Sequence, residues 1–297
     1  MNELLSIEKL NLFFELYKKN LQVLNEINLK VFKGEKVAVV GESGSGKSVM
    51  LRIILGLLKY RNSLINGDIY FNSINLRQQN ENYYKNNIRA KNISMIFQDP
   101  MASLNPVFTI RDQITNVIKL RDNKLDKYQI EKIAKEELKK VSIFDSKRVL
   151  DSYPFQLSGG MAQRILIIMA LMNKPKLVLA DEPSTALDVT LQKQALNLMD
   201  ELTNQVNAAV LLVTHNLGVV REFAERVYVI YKGNIVEEGL VDDIFNNPKH
   251  PYTVALLEAI PRLTGVGLPK FDENPPQYEK INKYSHASLK DYYAKFS

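Results

Sequence analysis

Gly41-Glu42-Ser43-Gly44-Ser45-Gly46-Lys47-Ser48 follows four apolar residues, Val37-Ala38-Val39-Val40, and runs into a helical pattern from Ser48 to Leu58. The spacing is G-x-x-x-x-G-K-S, that of a P-loop. Its glycines let the backbone turn tightly and approach a phosphate with no Cβ in the way. The N–H groups so released form an anion nest. Lys47 adds a charge for the β- and γ-phosphates, and the Ser48 hydroxyl is placed to ligate Mg²⁺. The expected nucleotide contacts are Gly41, Ser43, Gly44, Ser45, Gly46, Lys47, Ser48 and Val49. A buried strand, a glycine loop and a helix N-terminus facing an anion, in that order, predict an α/β fold with a parallel sheet. Alone, the motif says only that a nucleoside triphosphate binds.

The 297 residues suffice for one large α/β unit or two modest domains, and 45% hydrophobic content supports a core. With no cysteine, disulfides, thiolate metal sites and an iron–sulfur cluster are excluded. The net charge of +6 comes from interspersed acidic and basic residues. No basic stripe with interleaved aromatics is present, so no nucleic-acid partner is expected. The longest apolar run, Ile165 to Met172, is too short for a membrane span. The N-terminus lacks the apolar core of a signal peptide. A cytosolic protein is expected, reaching a membrane only through partners.

Strand patterns fill residues 4–40, including Ser6–Phe14 and the alternating Glu26–Phe32, with a turn at Lys33-Gly34-Glu35. Gly67–Ser73 reads as a strand and turn, and Ile93–Phe97 as a strand with Gln98 at its end. A polar residue there points into the ligand crevice of an α/β sheet. Residues 99–105 read as a loop, and 109–147 as helical with a charged outer face. Leu157-Ser158-Gly159-Gly160-Met161 opens an apolar helix from Ala162 to Met172, a second helix N-terminus suited to phosphate. Leu177–Ala180 is a buried strand ending in Asp181-Glu182, a pair suited to a Mg²⁺-associated Asp and a water-polarising Glu. Asp188 can cap the helix that follows. Ala208–Val213 is another buried strand with Thr214-His215 at its end. Val227–Tyr231 and Ile235–Glu238 flank a hairpin turn. Residues 261–297 read as an irregular extension with a weakly helical end.

Together these motifs resemble the ATP-binding subunit of an ABC transporter over nearly the whole chain. Gly41–Ser48 is similar to Walker A, Gln98 to the Q-loop glutamine, and Leu157–Met161 to the signature. Leu177–Asp181 is similar to Walker B, followed by a catalytic Glu182. Ser184–Asp188 resembles the D-loop, and His215 the switch histidine. Phe97–Pro106, the Met161 form of the signature and Asn247-Pro248-Lys249-His250-Pro251-Tyr252-Thr253 resemble the oligopeptide/dipeptide/nickel importers, in particular the first of their two ATPase subunits. Ala162 stands where relatives usually carry Arg.

The resemblance implies a P-loop NTPase of ABC ATPase type: a RecA-like core, an antiparallel β-subdomain and a helical subdomain inserted at about 99–170. The ATPase domain would span 1–260, with 261–297 a family extension. It implies ATP and Mg²⁺, with Ser48, Gln98 and Asp181 organising the metal, Glu182 as base and His215 on the γ-phosphate. Phe14 best matches the adenine-stacking aromatic, with Tyr17 as runner-up. Leu157, Ser158, Gly159, Gly160 and Met161 would complete the opposite subunit's site. The implied partners are a second ATPase in a heterodimer, two integral-membrane permease subunits and an extracellular or periplasmic solute-binding protein. The protein would sit on the cytoplasmic face of the membrane. The solute would be an oligopeptide or dipeptide, or alternatively nickel or another small solute. A soluble ABC ATPase of repair or translation would need coiled-coil insertions or two ATPase units, and a P-loop kinase or GTPase would not need the signature.

Overall fold

A computed structural model describes residues 3–17, 19–58, 62–183, 189–259 and 283–296. The chain begins with β1 (Glu3–Leu16), β2 (Lys19–Phe32), β3 (Lys36–Val40) and α1 (Lys47–Ile54). Then come β4 (Ser63–Phe71), β5 (Ile74–Asn75), a short α2 (Glu81–Tyr83) and β6 (Ile93–Ile96). Helices α3 (Pro100–Ser103), α4 (Ile110–Arg121), α5 (Lys127–Lys140), α6 (Ser146–Asp151) and α7 (Gly159–Leu171) follow. The remainder is β7 (Leu177–Asp181), α8 (Val189–Val206), β8 (Ala209–Thr214), α9 (Leu217–Phe223), β9 (Arg226–Tyr231) and β10 (Asn234–Leu240). It ends with α10 (Val241–Asn246), α11 (Pro251–Glu258), β11 (Tyr284–Ser285) and α12 (Leu289–Ala294). The chain divides into two compact units, one built from residues up to Gln78 together with those from Leu212 onward, the other Gln79–Leu211. No helix among the described residues is long and apolar enough to cross a membrane.

In the first unit an antiparallel sheet runs in the order β2-β1-β4-β5. One buried apolar series is Leu5, Ile7, Leu10 and Leu12 on β1, and another is Leu24, Ile27, Leu29 and Val31 on β2. Each series contains one step of three among steps of two, which would turn half of each strand outward. The register shifts at those places, with Lys9 and Glu26 at φ 46° and 45°, and the paired bulges keep both apolar sets inward. A second sheet places β3 parallel to β9, β9 antiparallel to β10, and β10 parallel to β11. Val37, Ala38, Val39 and Val40 are all fully buried, as a strand covered on both faces requires. Ala38, Val40, Val227, Val229, Val236 and Ile244 belong to one core cluster there.

Residues 283–296 hold the expected helical end, α12, preceded by the short strand β11. β11 extends the sheet, and α12 closes a buried polar cluster around Arg226 and Glu35, both without side-chain exposure. Arg226 Nε lies 2.8 Å from Glu35 Oε1, and Arg226 Nη1 reaches Tyr293 Oη at 3.0 Å. Tyr292 donates its hydroxyl to Glu35 at 2.9 Å. Burial alone would disfavour the Arg226 charge; Tyr228 and Glu35 outweigh it and raise the pKa above the ordinary arginine value. Burial, reinforced by Glu35, raises Tyr292, keeping its hydroxyl a donor. Tyr292 and Tyr293 supply hydrogen bonds that a buried pair needs to have its remaining polar groups satisfied, so the tail is part of this unit's stability. Residues 260–282, most of the expected extension, lie outside the described residues.

In the second unit β6 and β7 pair in parallel, Ile96 opposite Ala180, bringing their carboxyl ends to one edge. The stretch 109–147 is helical as expected, in three segments. Each starts at a cap: Thr109 boxed with Asp112, Asp126 boxed with Gln129, and Asp145. α4 buries Ile110, Ile114 and Ile118, and α5 buries Ile130, Ala134 and Leu138, one stripe each at a spacing of four. The expected loop at 99–105 contains α3 instead. Asp99 caps it by accepting from Met101 and Ala102, and Pro100 occupies the first turn, where its missing N–H is no loss.

Candidate nucleotide-binding site

The first unit holds the elements expected to bind phosphate. α1 starts at Lys47 with Gly46 as its N-cap at φ 101°, and no side chain caps it. By contrast α3, α4, α5, α6, α7 and α9 all have side-chain caps. A side chain over α1 would occupy the place where an anion meets the first-turn amides. Gly41 and Gly46 are required by contact: a Cβ at Gly41 would lie 2.1 Å from the Ile230 carbonyl oxygen, and one at Gly46 would lie 2.5 Å from Leu24 Cδ2. Gly44 has open space about it and is required by its φ of 82°.

Lys47 is buried, its ammonium folded over the loop and donating to the Gly41 and Glu42 carbonyls at 2.7 and 2.8 Å. Ser43 and Gly44 are exposed, Ser45 buried, Ser48 and Val49 half-buried. The residues fit a polyphosphate: a glycine cradle, an uncapped helix start and a cation aimed across them. His215 is exposed just after β8, where Asn216 caps α9 and its N–H meets Thr214 Oγ1 at 3.0 Å. Phe14 is half-buried in β1, opposite Leu21 on β2 and Ser63 on β4, while Tyr17 stands fully exposed in the β1–β2 turn.

The second unit holds the carboxylates. Asp181 ends β7 and is buried; Glu182 follows at φ 46°. A non-glycine residue in the left-handed region costs roughly 1–3 kcal/mol and persists where its surroundings impose it. Gln98, just beyond β6, donates Nε2 to Glu182 Oε2 at 3.3 Å. Two residues read separately from the sequence thus meet. Asp181 and Gln98 in this unit, like Ser48 in the first, carry hard oxygen donors. Such donors suit Mg²⁺ held jointly with nucleotide phosphates.

The Leu157–Met161 segment starts α7. Ser158 is the N-cap and accepts from Met161 N–H at 3.3 Å. A Cβ built on Gly160 would meet, among the described residues, only Leu191 methyl groups at 3.5 Å, an ordinary contact. Its own fold therefore does not require glycine at 160. Asp188, expected in the D-loop, lies outside the described residues. Nothing in the structure explains alanine at 162, which is fully buried.

Two residues near these groups were not among the candidates. Gln163 is buried on α7 and donates to the Pro183 carbonyl at 2.5 Å, tying that helix to the turn after Glu182. The Tyr252 hydroxyl accepts from the Glu42 N–H of the P-loop at 2.9 Å. Its only sequence signal was membership of the Asn247–Thr253 motif.

Residues 24–185 match the sequence model of the ABC transporter family, and residues 236–286 that of the oligopeptide/dipeptide transporter C-terminal region. The oligopeptide transport ATP-binding protein AppD of Bacillus subtilis (strain 168) is 44% identical, over 89% of this chain and 80% of its own. The dipeptide transport ATP-binding protein DppD of the same organism is 43% identical, over 93% of this chain and 83% of its own. Among solved structures, the dimeric post-hydrolysis state of the ATP-binding cassette MJ0796, bound to ADP and Pi, is similar with a TM-score of 0.70 and 29% identity, covering 80% of this chain and 98% of that one.

Proposed function

The chain belongs to the ABC transporter family and is an ATPase of its ATP-binding cassette type, and we propose that it drives the import of small peptides through a membrane permease. The observation that carries the peptide reading is the match of residues 236–286 to the oligopeptide/dipeptide transporter C-terminal region. Relatives named for oligopeptide and dipeptide transport support it at 40–44% identity over most of the chain. The decisive experiment is to purify the assembled complex in mild detergent and identify the ligand on its solute receptor. Peptides there support the reading; nickel or another small solute overturns it.

Phosphoryl transfer to water needs positioning and charge neutralisation more than covalent chemistry. The P-loop amides and Lys47 hold the phosphates. Ser48, Asp181 and Gln98 would hold Mg²⁺, which neutralises charge on the transferring group. Glu182 takes the proton of the attacking water, and its hydrogen bond with Gln98 orients the carboxylate. His215 contacts the γ-phosphate, and Phe14, held in the sheet, stacks on the base. The ATPase domain covers residues 1–260 with a helical subdomain at about 99–170, and 261–297 form the family extension. The partners are a second, paralogous ATPase, two permease subunits and a solute-binding protein, with this chain on the cytoplasmic face of the membrane. The loop after Gln98 meets the permease.

The signature helix serves the partner's nucleotide. Room for a Cβ at Gly160 among the described residues supports this, since a group from outside would then be what needs the glycine. Gly160→Asp is expected to leave nucleotide affinity of the isolated chain within about twofold. It should abolish ATP-driven closure with the partner ATPase through bulk and charge repulsion. Nucleotide titration and a dimerisation assay check this; lost affinity with intact closure would place Gly160 in its own chain's site.

A further inference from the structure

The Asn247–Thr253 motif takes no part in the phosphate chemistry, yet it reaches the P-loop. The Tyr252 hydroxyl accepts the Glu42 N–H at 2.9 Å, and the Glu42 carbonyl accepts from Lys47 Nζ at 2.8 Å. Tyr252 is 3% exposed, its ring packed on Tyr231 with centroids 4.3 Å apart. It is held from behind as well. The Tyr252 N–H donates to His250 Nδ1 at 3.1 Å. The N–H groups of Lys249 and His250 donate to the two oxygens of the Glu237 carboxylate, each at 2.9 Å. Glu237 Oε1 also meets His286 Nε2 at 2.8 Å. His286 follows β11, the C-terminal strand beside β10. Glu237, His250 and His286 are all buried. An unbroken line of polar contacts therefore runs from the C-terminal segment to the loop that carries Lys47.

A P-loop works only while its amides keep their aim at the phosphates. An acceptor on the Glu42 N–H fixes the start of that loop. A tyrosine carries the acceptor inward at the end of a ring that is itself well packed, whereas phenylalanine would fill the space and leave the N–H without this partner. Tyr252, His250, Glu237 and His286 all fall within residues 236–286, the stretch matched by the transporter C-terminal region.

We propose that Tyr252 is a positioning residue for the nucleotide site, and that docking of the C-terminal segment through His286 and Glu237 sets it. The proposal rests on reading Gly41–Ser48 as that site. The test titrates a fluorescent ATP analogue into the full-length chain as wild type, Tyr252→Phe, His286→Ala, the double variant and Lys47→Ala, and measures steady-state ATP hydrolysis in the assembled complex. Tyr252→Phe should weaken nucleotide binding about five- to tenfold, the range of one ordinary hydrogen bond. KM for ATP should rise in step, with kcat at saturation within about twofold. His286→Ala touches no P-loop atom; it should weaken binding about threefold and add nothing in the Tyr252→Phe background, as a shared route requires. Wild-type affinity and KM in Tyr252→Phe overturn the positioning role, as does a loss of kcat and melting temperature at constant KM. Multiplying losses in the double variant overturn the link to the tail. Unimpaired binding by Lys47→Ala would remove the reading of the P-loop itself, whereas lost binding there beside normal Tyr252→Phe removes this proposal alone.

Discussion

Glu182→Gln in the assembled transporter is expected to bind ATP normally and hydrolyse it about 10²–10⁴-fold more slowly, the usual loss on removing a general base. Glutamine keeps the volume and one oxygen, and with it an acceptor for the Gln98 amide 3.3 Å away. What it lacks is a carboxylate that can take a proton from water. Because binding persists and hydrolysis does not, the variant should accumulate the ATP-bound closed dimer. Single-turnover kinetics with size-exclusion analysis measures both effects. Turnover at the wild-type rate would show that Glu182 is not the base, and would leave its left-handed backbone without a catalytic reason.

Lys47→Ala should abolish productive ATP binding in the same complex. The ammonium is buried and engaged with two P-loop carbonyls, so alanine removes both the charge meant for the phosphates and a tie across the loop. Buried charge acts in a medium of lower effective dielectric than water, which makes its loss larger than that of a surface lysine. Near-normal ATP hydrolysis by this variant would contradict the assignment of the P-loop. Taken together, Lys47→Ala should fail at binding and Glu182→Gln after it, so nucleotide affinity separates the two.

Much of the fold was legible because its signals are local. Val37–Val40 followed by Gly41–Ser48 states a buried strand, a nest and a helix start within twelve adjoining residues. The ends of β6 and β7 were equally readable, since a polar residue closing an apolar strand marks the ligand edge. One stretch differs for an identifiable reason. A proline read as a breaker makes Asp99-Pro100 a loop, whereas after an aspartate it starts a helix. The run 109–147 is legible as helical, while the caps at Asp126 and Asp145 that divide it are single exposed polar residues. The bulges at Lys9 and Glu26 show as one three-residue step in each strand, visible only when the two strands are aligned.

The site residues that escaped the sequence reading depend on long-range pairing. Glu42 and Tyr252 are 210 positions apart, and Glu35 and Tyr292 are 257 apart. No local period records such contacts. Tyr252 is one letter of a family motif, and of the C-terminal elements the helical end is legible while a two-residue strand carries almost no pattern of its own. Gln163 sits within an apolar helix, where its burial and its hydrogen bond to Pro183 follow from packing alone.

The central claim, that this ATPase works for a peptide importer, is tested most directly by reconstituting the chain with its partner ATPase and permease in liposomes and measuring ATP hydrolysis and peptide uptake together. Peptide-loaded receptor should stimulate hydrolysis, and uptake should require ATP and vanish in Glu182→Gln. Hydrolysis indifferent to permease, receptor and peptide, and stimulated instead by nucleic acid, would contradict it.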